Sequence, residues 1–471
     1  MDTIALPSPA NAASLQLPDA GLIRRFDHPG PRYTSYPTAD RFHNGFGPDA
    51  YAQQLAQRGE HAANQALSLY VHIPFCTRIC HYCACNKIGT RHKERGWEYL
   101  DYIDQEAHLL TQHLSGSRQI SQLHLGGGTP TFLEVDGLAA LMKILGQYFA
   151  WQDDGEYSIE LDPRTLSNDM MRRLRAMGFN RASLGVQDFD PVVQKAVNRV
   201  QPYELVEQMV LDARDAGFAS LNFDLIYGLP HQTRHSFAAS LAQTLALRPD
   251  RIALYSYAHL PARFAPQRSI SEADLPSPAE KLQIMLDAIV CLSEAGYEYV
   301  GMDHFALPND DLAVARRQGG LQRNFQGYST QADCDLIGLG VSAISKVGSS
   351  YAQNHHDLDN YVAALARGEL PITRGLALTT DDRLRREVIM TIMCDGMVDK
   401  AAISQTWQLD FDTYFAQDLA LLKPHIEAGL VEHDTSTLRV TPLGRLLVRT
   451  VAMAFDARLR AGTAVRYSRT I

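Results

Sequence analysis

The sequence predicts an α/β fold: a curved partial barrel of six β-α units, with an N-terminal arm before it and a mostly helical, winged-helix-like domain after it. Apolar runs of strand length alternate with amphipathic stretches of helical period, and this alternation stops after about residue 376. Strands that alternate with helices form right-handed β-α-β units around a parallel sheet. The six runs that predict its strands lie at 67–74, 121–128, 157–163, 181–187, 221–230 and 251–261.

The other elements follow from the same patterns. Two further strand-like runs, at 297–305 and 335–345, are predicted to extend the sheet. The charge of the C-terminal region is mixed, which favours a packing or lid role over DNA binding. Helices are predicted there at 381–393, 411–430 and 445–460, with a β-hairpin at 430–444.

The chain of 471 residues is long enough for more than one domain. We predict an arm over 1–55, the barrel over 56–375 and the C-terminal domain over 376–471. The first ~20 residues are rich in Ala, Pro and Ser, and we expect them to be mobile.

Charge and hydropathy narrow the class of protein. The net charge of −9 argues against non-specific binding to nucleic acid. The N-terminus lacks the basic flank and apolar core of a secretory signal, and no apolar run is long enough for a bilayer. We therefore expect a cytoplasmic protein that binds neither membrane nor nucleic acid. Nothing in the pattern demands association, so we predict a monomer.

Four of the seven cysteines fall between positions 76 and 85. Cys76, Cys80 and Cys83 form a C-x3-C-x2-C pattern directly after the first predicted strand. Three thiolates can bind three irons of a [4Fe–4S] cluster and leave the fourth iron open. The amine and carboxylate of S-adenosylmethionine (SAM) can chelate that iron. The motif therefore predicts a radical SAM enzyme.

A structural zinc site that includes Cys85 is the alternative interpretation of these cysteines. Zinc sites usually join two pairs of ligands that lie many residues apart, because tetrahedral closure needs a loop. Four cysteines within ten residues do not provide that separation. The spacing favours the cluster.

Glycines and polar residues follow the later strands, at the barrel end where active sites gather. The GGGTP segment at 126–130 can bring backbone groups close to the SAM amino group, although a tight β-α turn would also explain it. Arg199 can bind a carboxylate or lie on a solvated surface. The polar residues at strand ends, which can form a ring around a ligand, are Glu160, Gln187, Asp224 and His259.

Several motifs together resemble the bacterial oxygen-independent coproporphyrinogen III oxidases, a family of radical SAM enzymes. The similarity runs from the arm to the last residues, so it is more specific than the cysteine motif alone. The motifs are GPRYTSYPTA (30–39), YVHIPFCTRICHYCACNKIGT (70–90), LHLGGGTPT (123–131), GVQDF (185–189), DLIYGLP (224–230), YAHLP (257–261), GMDHFA (301–306) and NFQGY (324–328).

The resemblance implies a partial (β/α)6 barrel of the radical SAM type with one [4Fe–4S] cluster and two SAM molecules. It implies that Cys76, Cys80 and Cys83 bind the cluster. The SAM on the cluster would contact Tyr70, Gly127, Glu160 and Ile344. The second SAM would be surrounded by Tyr82, Gly128, Thr129, Gln187, Arg199, Asp224 and Ala258.

The resemblance also implies a reaction. Coproporphyrinogen III would lose CO2 from two propionate side chains, which become vinyl groups, and protoporphyrinogen IX would form. A propionate C–H bond is too inert for side-chain acid–base chemistry, so a 5′-deoxyadenosyl radical would abstract the hydrogen. The reaction requires a one-electron reductant and an electron acceptor, and its oxygen-sensitive cluster fits an anaerobic role in porphyrin and haem biosynthesis.

Cys85 is our candidate catalytic residue because it is not needed as a cluster ligand. It lies near the substrate or is simply packed in the loop. The substrate carries several carboxylates, which predicts a cationic wall despite the net negative charge. Candidates for this wall are Arg32, Lys87 and Arg91, with His92 beside them; a solvated loop would also explain Arg91 and His92.

Three rival functions remain open at this point. A related haem chaperone would keep the cluster and bind haem without catalysis, but the fourth cysteine and the long arm argue against it. A radical SAM enzyme of another type, such as a methyltransferase, does not explain the GVQDF and NFQGY motifs. A zinc-stabilised protein that binds nucleic acid conflicts with both cysteine spacing and charge.

Overall fold

The computed structural model describes residues 15–165, 169–330, 334–462 and 467–470. Residues 1–14, which make up most of the segment expected to be mobile, lie outside the described residues. The strands in chain order are β1 (Leu67–Ile73), β2 (Phe75–Cys76), β3 (Ile88–Gly89), β4 (Gln119–Gly127), β5 (Ala150–Leu161), β6 (Arg181–Gln187), β7 (Ser220–Tyr227), β8 (Arg251–Ser256), β9 (Glu298–Gly301), β10 (His304–Ala306), β11 (Gln322–Asn324), β12 (Gly327–Ser329), β13 (Asp335–Leu339), β14 (Ile344–Val347), β15 (Ser350–Asn354), β16 (Ile372–Ala377), β17 (Met397–Asp399), β18 (Val431–His433) and β19 (Thr437–Val440).

Helices flank this sheet and form most of the C-terminal region. Within the described residues, no helix is both long and apolar enough to cross a membrane. The helices are α1 (Ala20–Phe26), α2 (Pro48–His61), α3 (Glu94–His113), α4 (Glu134–Tyr148), α5 (Met170–Ala176), α6 (Pro191–Ala196), α7 (Tyr203–Asp215), α8 (Arg234–Leu247), α9 (Pro278–Glu294), α10 (Asp311–Gln318), α11 (Leu358–Ala366), α12 (Thr380–Cys394), α13 (Lys400–Trp407), α14 (Phe411–Tyr414), α15 (Ala416–Glu427), α16 (Val448–Ala454) and α17 (Ala457–Arg460).

Seven adjacent parallel strands lie in a twelve-stranded sheet: β13, β1 and β4 to β8. All of them except β13 are the strands of the predicted β-α barrel, which is thereby confirmed. The sheet has the order β16-β15-β14-β13-β1-β4-β5-β6-β7-β8-β10-β9. Each of β4 to β8 pairs in parallel with the strand before it in that order. In β1, Leu67, Leu69, Val71 and Ile73 are fully buried, as expected for a strand covered by helices. The carboxyl ends of these strands therefore meet at one end of the barrel.

The two predicted extensions of the sheet are each divided by a turn. Residues 297–305 form most of the β9–β10 hairpin, whose second strand pairs antiparallel with β8. Residues 335–345 form β13, which is parallel to β1, and the start of β14. The turn after β13 contains Gly340 at φ +92°, where a Cβ atom would stand 2.4 Å from the Tyr99 hydroxyl. Only glycine fits this turn, so the apolar run cannot continue as one strand.

The C-terminal region contains the predicted hairpin as β18 and β19. It also contains β17, which makes a three-stranded sheet in the order β17-β19-β18. We did not predict β17 because three residues are too few for a periodic pattern. The predicted helix at 445–460 is interrupted at Asp456, which caps α17 by accepting a hydrogen bond from the Leu459 N–H.

The N-terminal arm packs into the C-terminal region. Phe26, Tyr33 and Tyr36 belong to the same buried apolar cluster as residues of α12, α15 and α16. The Tyr33 hydroxyl donates to Asp456 Oδ2 over 3.0 Å. The arm and the C-terminal helices therefore share a core, while the division of the chain at 55 and 375 stays a prediction.

Candidate cofactor site at the carboxyl end of the barrel

A cavity of about 340 Å³ lies at the carboxyl ends of the parallel strands. It brings together most of the side chains and glycines that the sequence singled out. Those that line it are Cys76, Cys80, Tyr82, Cys83, Cys85, Lys87, Gly127, Gly128, Thr129, Glu160, Gln187, Arg199 and Asp224.

The cysteine loop leaves the barrel directly after β1. Phe75 and Cys76 pair in parallel with Ile88 and Gly89, so the β2–β3 pair closes the loop at its base. The His81 N–H donates to the Val197 carbonyl over 3.0 Å, which attaches the loop to the segment that follows α6. All three predicted cluster ligands are thereby held at the mouth of the barrel.

Cationic and hydroxyl donors surround the three thiols. Arg164 and Arg199 each place a guanidinium nitrogen near Cys80 Sγ, at 3.6 Å and 3.5 Å. The Thr129 hydroxyl lies 3.4 Å from Cys76 Sγ. Donors of this kind stabilise thiolates and tune the potential of a bound cluster.

The chemistry of the donors fits an iron–sulfur cluster better than a single ion. Among the residues that the structure describes, no three His, Cys, Asp or Glu side chains converge to hold one metal ion. Cys76, Cys80 and Cys83 line one cavity, and three thiolates suit a cluster in which each binds a different iron. Zinc would require four ligands at about 2.0–2.3 Å from one point.

Arg199 is the buried centre of an ionic network that also reaches β6. Its Nη2 donates to the Gly185 carbonyl over 2.6 Å, and its Nη1 lies 3.4 Å from Asp162 Oδ2. Arg164 donates to the same carboxylate over 2.6 Å. Burial opposes ionisation of Asp162, but the guanidiniums of Arg199 and Arg164 prevail and lower its pKa. The surface interpretation of Arg199 is thereby excluded, since only 7% of the residue is exposed.

The glycine segment approaches the site so closely that larger residues would not fit. A Cβ atom on Gly127, which has φ +118°, would lie 2.8 Å from the His72 ring. A Cβ atom on Gly128 would lie 2.7 Å from the Pro74 carbonyl oxygen. The Gly127 N–H donates to Glu160 Oε2 over 3.2 Å, so the segment is tied to β5.

Asp224 lines the cavity and is hydrogen-bonded to two polar neighbours. Its carboxylate accepts hydrogen bonds from the Ser183 hydroxyl over 3.1 Å and from Asn222 Nδ2 over 2.9 Å. Burial, with repulsion from Glu160, raises the pKa of Asp224 to about 7. This carboxyl therefore changes its charge near neutral pH.

Cys85 and Lys87 lower the pKa of the Cys83 thiol. A hydrogen bond from Cys85 and the ammonium of Lys87 lower the pKa of Cys83 to about 6, against the effect of burial. The same hydrogen bond to Cys83, together with burial, raises the pKa of Cys85 well above its usual range. Cys85 thus lines the same cavity as the three predicted ligands, and whether it acts on substrate stays a prediction.

Seven of the residues that the sequence singled out do not line this cavity, and their roles stay predictions: Arg32, Tyr70, Arg91, His92, Ala258, His259 and Ile344. Tyr70 lies beneath it, with its hydroxyl 2.9 Å from His72 Nδ1. Ile344 packs in an apolar cluster with Phe42 and Leu376. Ala258 and Arg91 are exposed in loops, and Arg32 forms an ion pair with Asp303.

Sequence reasoning did not identify several residues of the site. Asp162 and Arg164 follow β5 and hold the guanidinium network, while His124 contacts Glu160 over 3.1 Å. Tyr255, on β8, lines the cavity opposite the cysteine loop. The position of Asp162 at the end of the strand predicted over 157–163 is the one signal that could have found it.

Comparisons with known proteins agree with this geometry. The sequence model of the radical SAM superfamily matches residues 70–243, and that of the HemN C-terminal domain matches residues 378–447. Oxygen-independent coproporphyrinogen III oxidase of Escherichia coli is 49% identical over 442 residues, which cover 94% of this chain and 96% of the relative. The protein of the same name from Pseudomonas aeruginosa is 49% identical over 96% of this chain and 98% of its own length.

A solved structure supports the same assignment. The structure of coproporphyrinogen III oxidase (HemN) from Escherichia coli, described as a radical SAM enzyme, matches with a TM-score of 0.90 at 48% identity. The match covers 94% of this chain and all of the other.

Fold and site together define a protein of the radical SAM superfamily, whose members use a [4Fe–4S] cluster and SAM. Within that superfamily, the chain belongs to the family of the oxygen-independent coproporphyrinogen III oxidases. The comparisons support the oxidase interpretation and give no support to the haem-chaperone alternative.

Proposed function

We propose that this protein catalyses the anaerobic oxidative decarboxylation of coproporphyrinogen III to protoporphyrinogen IX. The observation that carries the proposal is the single cavity in which three thiols, a glycine segment and a buried arginine network meet at the barrel mouth. The names of the full-length relatives support the choice of substrate.

Cys76, Cys80 and Cys83 would hold the [4Fe–4S] cluster, and two SAM molecules would bind beside it. When bound, the cluster would supply the electron that cleaves SAM to methionine and the 5′-deoxyadenosyl radical. The SAM bound to the cluster would be contacted by Tyr70, Gly127, Glu160 and Ile344. The proposed residues around the second SAM are Tyr82, Gly128, Thr129, Gln187, Arg199, Asp224 and Ala258.

The chain itself provides placement and charge. Glu160 is held by the Gly127 N–H and by His124, so its carboxylate is oriented for the ammonium of a ligand. Arg199 Nη1 lies 3.5 Å from Cys80 Sγ, and the guanidinium lines the cavity. The glycines let backbone N–H and C=O groups approach a ligand more closely than residues with a Cβ atom would allow.

Further proposals concern the setting of the reaction. The protein would act in the cytoplasm as a monomer, without membrane or nucleic acid, and would draw on a one-electron reductant and an electron acceptor. The net charge of −9 supports the exclusion of nucleic acid. Lys87 lines the cavity and supports a cationic wall for substrate carboxylates, with Arg32 and Arg91 as further proposed members.

The experiment is an anaerobic assay of the reconstituted protein with SAM, a reductant and coproporphyrinogen III, followed by mass spectrometry. We expect two successive losses that correspond to the conversion of propionate to vinyl. Cys76→Ser should abolish both the losses and the release of 5′-deoxyadenosine, whereas Cys291→Ser, on the outer helix α9, should preserve them. SAM cleavage that leaves the tetrapyrrole intact would assign the protein to another radical SAM reaction.

A further inference from the structure

A second concentration of positive charge lies beside the cavity, across the ring of Tyr255. Tyr255 lines the cavity, and the imidazole of His304 meets its ring edge to face, with 6.1 Å between the centroids. The Tyr328 ring meets His304 in the same way at 5.4 Å. The guanidinium of Arg323 lies over the Tyr328 ring, 4.7 Å from its centroid. This group of residues is therefore continuous with the proposed SAM site.

Arg323 is buried and incompletely paired. Only 5% of the residue is exposed, and its Nη2 donates to the Arg32 backbone carbonyl over 3.4 Å. Its Nε and Nη1 have no hydrogen-bond partner among the residues that the structure describes. His304 Nδ1 likewise lacks a partner within the described part of the chain. A buried cation without a partner carries a large desolvation penalty, so the site is incomplete without an anion.

The neighbouring cations strengthen the requirement for an anion. The carboxylate of Asp303 is paired with Arg32. Arg449 is buried and donates only to backbone carbonyls, those of Gly30, Pro31, Arg469 and Thr470, in the hydrogen bonds of the described residues. Burial, together with Arg32 and Arg323, lowers the pKa of Arg449 to about 9. Burial and the same two arginines lower the pKa of His304 to about 3, so this imidazole is neutral.

We propose that Arg323 binds a propionate carboxylate of the tetrapyrrole, with Arg32 as its cationic partner and His304 as a neutral hydrogen-bond donor. The inference rests on the proposed function, which places a substrate with several carboxylates next to the SAM cavity. The tetrapyrrole then spans Tyr255, with one carboxylate on the arginines and a reacting propionate in the cavity. Arg323 is a binding residue that fixes which part of the substrate reaches the radical.

The test compares Arg323→Gln with Arg317→Gln in the reconstituted full-length protein. Arg317 is a matched control because it is a surface arginine of the adjacent helix α10, paired with Glu298. The probe is coproporphyrin III, the stable oxidised form of the substrate, titrated anaerobically by fluorescence. Because charge-assisted hydrogen bonds are strong, we expect Arg323→Gln to raise the Kd by about tenfold or more. Arg317→Gln should leave the Kd unchanged, and neither variant should alter the Kd for SAM.

A readout of stability separates binding from a structural role. Removal of an unpaired buried charge should leave the urea midpoint of the free Arg323→Gln protein equal to or above that of the wild type. A lower midpoint with unchanged binding of coproporphyrin III would overturn the inference. Weaker binding of SAM alone would overturn it as well, because Arg323 would then serve the cofactor. If the wild type itself fails to bind coproporphyrin III, the proposed function fails together with the inference.

Discussion

The thiols of Cys76 and Cys83 line the same cavity but differ strongly in pKa. Burial raises the pKa of Cys76 to about 11, while the hydrogen bond from Cys85 and the charge of Lys87 lower that of Cys83 to about 6. The difference arises from neighbours that lie within a few residues of Cys83 in the chain. If both thiols bind the cluster as proposed, its assembly would have to overcome a larger cost of ionisation at Cys76 than at Cys83.

Asp224 provides a prediction about pH. Burial raises its pKa to about 7, so the group is neutral below that pH and a carboxylate above it. If Asp224 faces SAM, which carries a sulfonium and an ammonium, affinity for SAM should rise as pH increases from 6 to 8 and then level off. Calorimetric titration of the anaerobic protein across this range measures the effect.

Two variants serve as controls for that prediction. Asp224→Asn should show an affinity for SAM that no longer changes between pH 6 and 8. Ser183→Ala removes a hydrogen bond that lowers the pKa of Asp224, so it should move the inflexion to higher pH. An inflexion that persists unchanged in Asp224→Asn would show that another group is responsible.

Single residues were predictable where a motif or a strand end marked them. The cysteine loop, the glycine segment, Glu160, Gln187, Arg199 and Asp224 all reach the cavity, as the resemblance and the strand ends imply. Arg164 was not predictable, because nothing local shows that its guanidinium reaches Cys80 across 84 positions of the chain. Arg323 is a similar case, since its guanidinium reaches the Arg32 carbonyl across 291 positions of the chain.

The turn between β13 and β14 is held by Glu106 of α3. Its carboxyl accepts hydrogen bonds from the Gly340 N–H over 2.7 Å, the Tyr361 hydroxyl over 2.6 Å and Asn354 Nδ2 over 2.6 Å. Burial nevertheless prevails and raises the pKa of Glu106 to about 7. The group thus connects three elements at one end of the sheet.

Glu106 gives a prediction about stability against pH. Its pKa in the folded protein lies above the unfolded value, so the folded state binds the proton more tightly. The resulting stabilisation is fully present below about pH 4.5 and is lost as pH rises through about 7. Its size is on the order of 3 kcal/mol. Urea unfolding at pH 5 and pH 8 measures it.

Glu106→Gln is the control, because an amide cannot titrate. This variant should lose most of the difference in unfolding free energy between pH 5 and pH 8. An equal difference in the wild type and in Glu106→Gln would contradict the assignment of the effect to this carboxyl.

Element boundaries were predictable where periodicity was long. The six parallel strands of the predicted barrel are all present, because buried β-branched and leucine runs stand out between helical stretches. The break in 335–345 was missed because it depends on the contact of Gly340 with Tyr99 of another element. The strand β17 was missed because a short strand is defined by its partner β19 and not by its own sequence.

The N-terminal arm contacts both the C-terminal helices and the large sheet. Tyr33 lies fully buried against the C-terminal helices, while His43 pairs with Gly375 of β16, the edge strand of the large sheet. Arg32, the proposed partner of Arg323, lies in the same segment. The arm therefore contains both Tyr33, which packs in the C-terminal core, and Arg32, the residue proposed to act with Arg323.

A graded pair of substitutions tests this connection. Tyr33→Phe removes only the hydrogen bond to Asp456 and should lower the free energy of unfolding by about 1–3 kcal/mol. Tyr33→Ala also leaves a large cavity and should lower it by about 3–5 kcal/mol. Chemical unfolding followed by circular dichroism gives both values. Equal stability of Tyr33→Ala and the wild type would show that the arm contributes nothing to this core.

The central claim is that the barrel mouth brings a SAM-derived radical to a propionate of the tetrapyrrole. The most direct measurement uses coproporphyrinogen III deuterated at the propionate β-carbons, with SAM and a reductant under anaerobic conditions. We predict that mass spectrometry will find deuterium in the released 5′-deoxyadenosine and vinyl groups on the product. Release of unlabelled 5′-deoxyadenosine with an unchanged tetrapyrrole would contradict the claim.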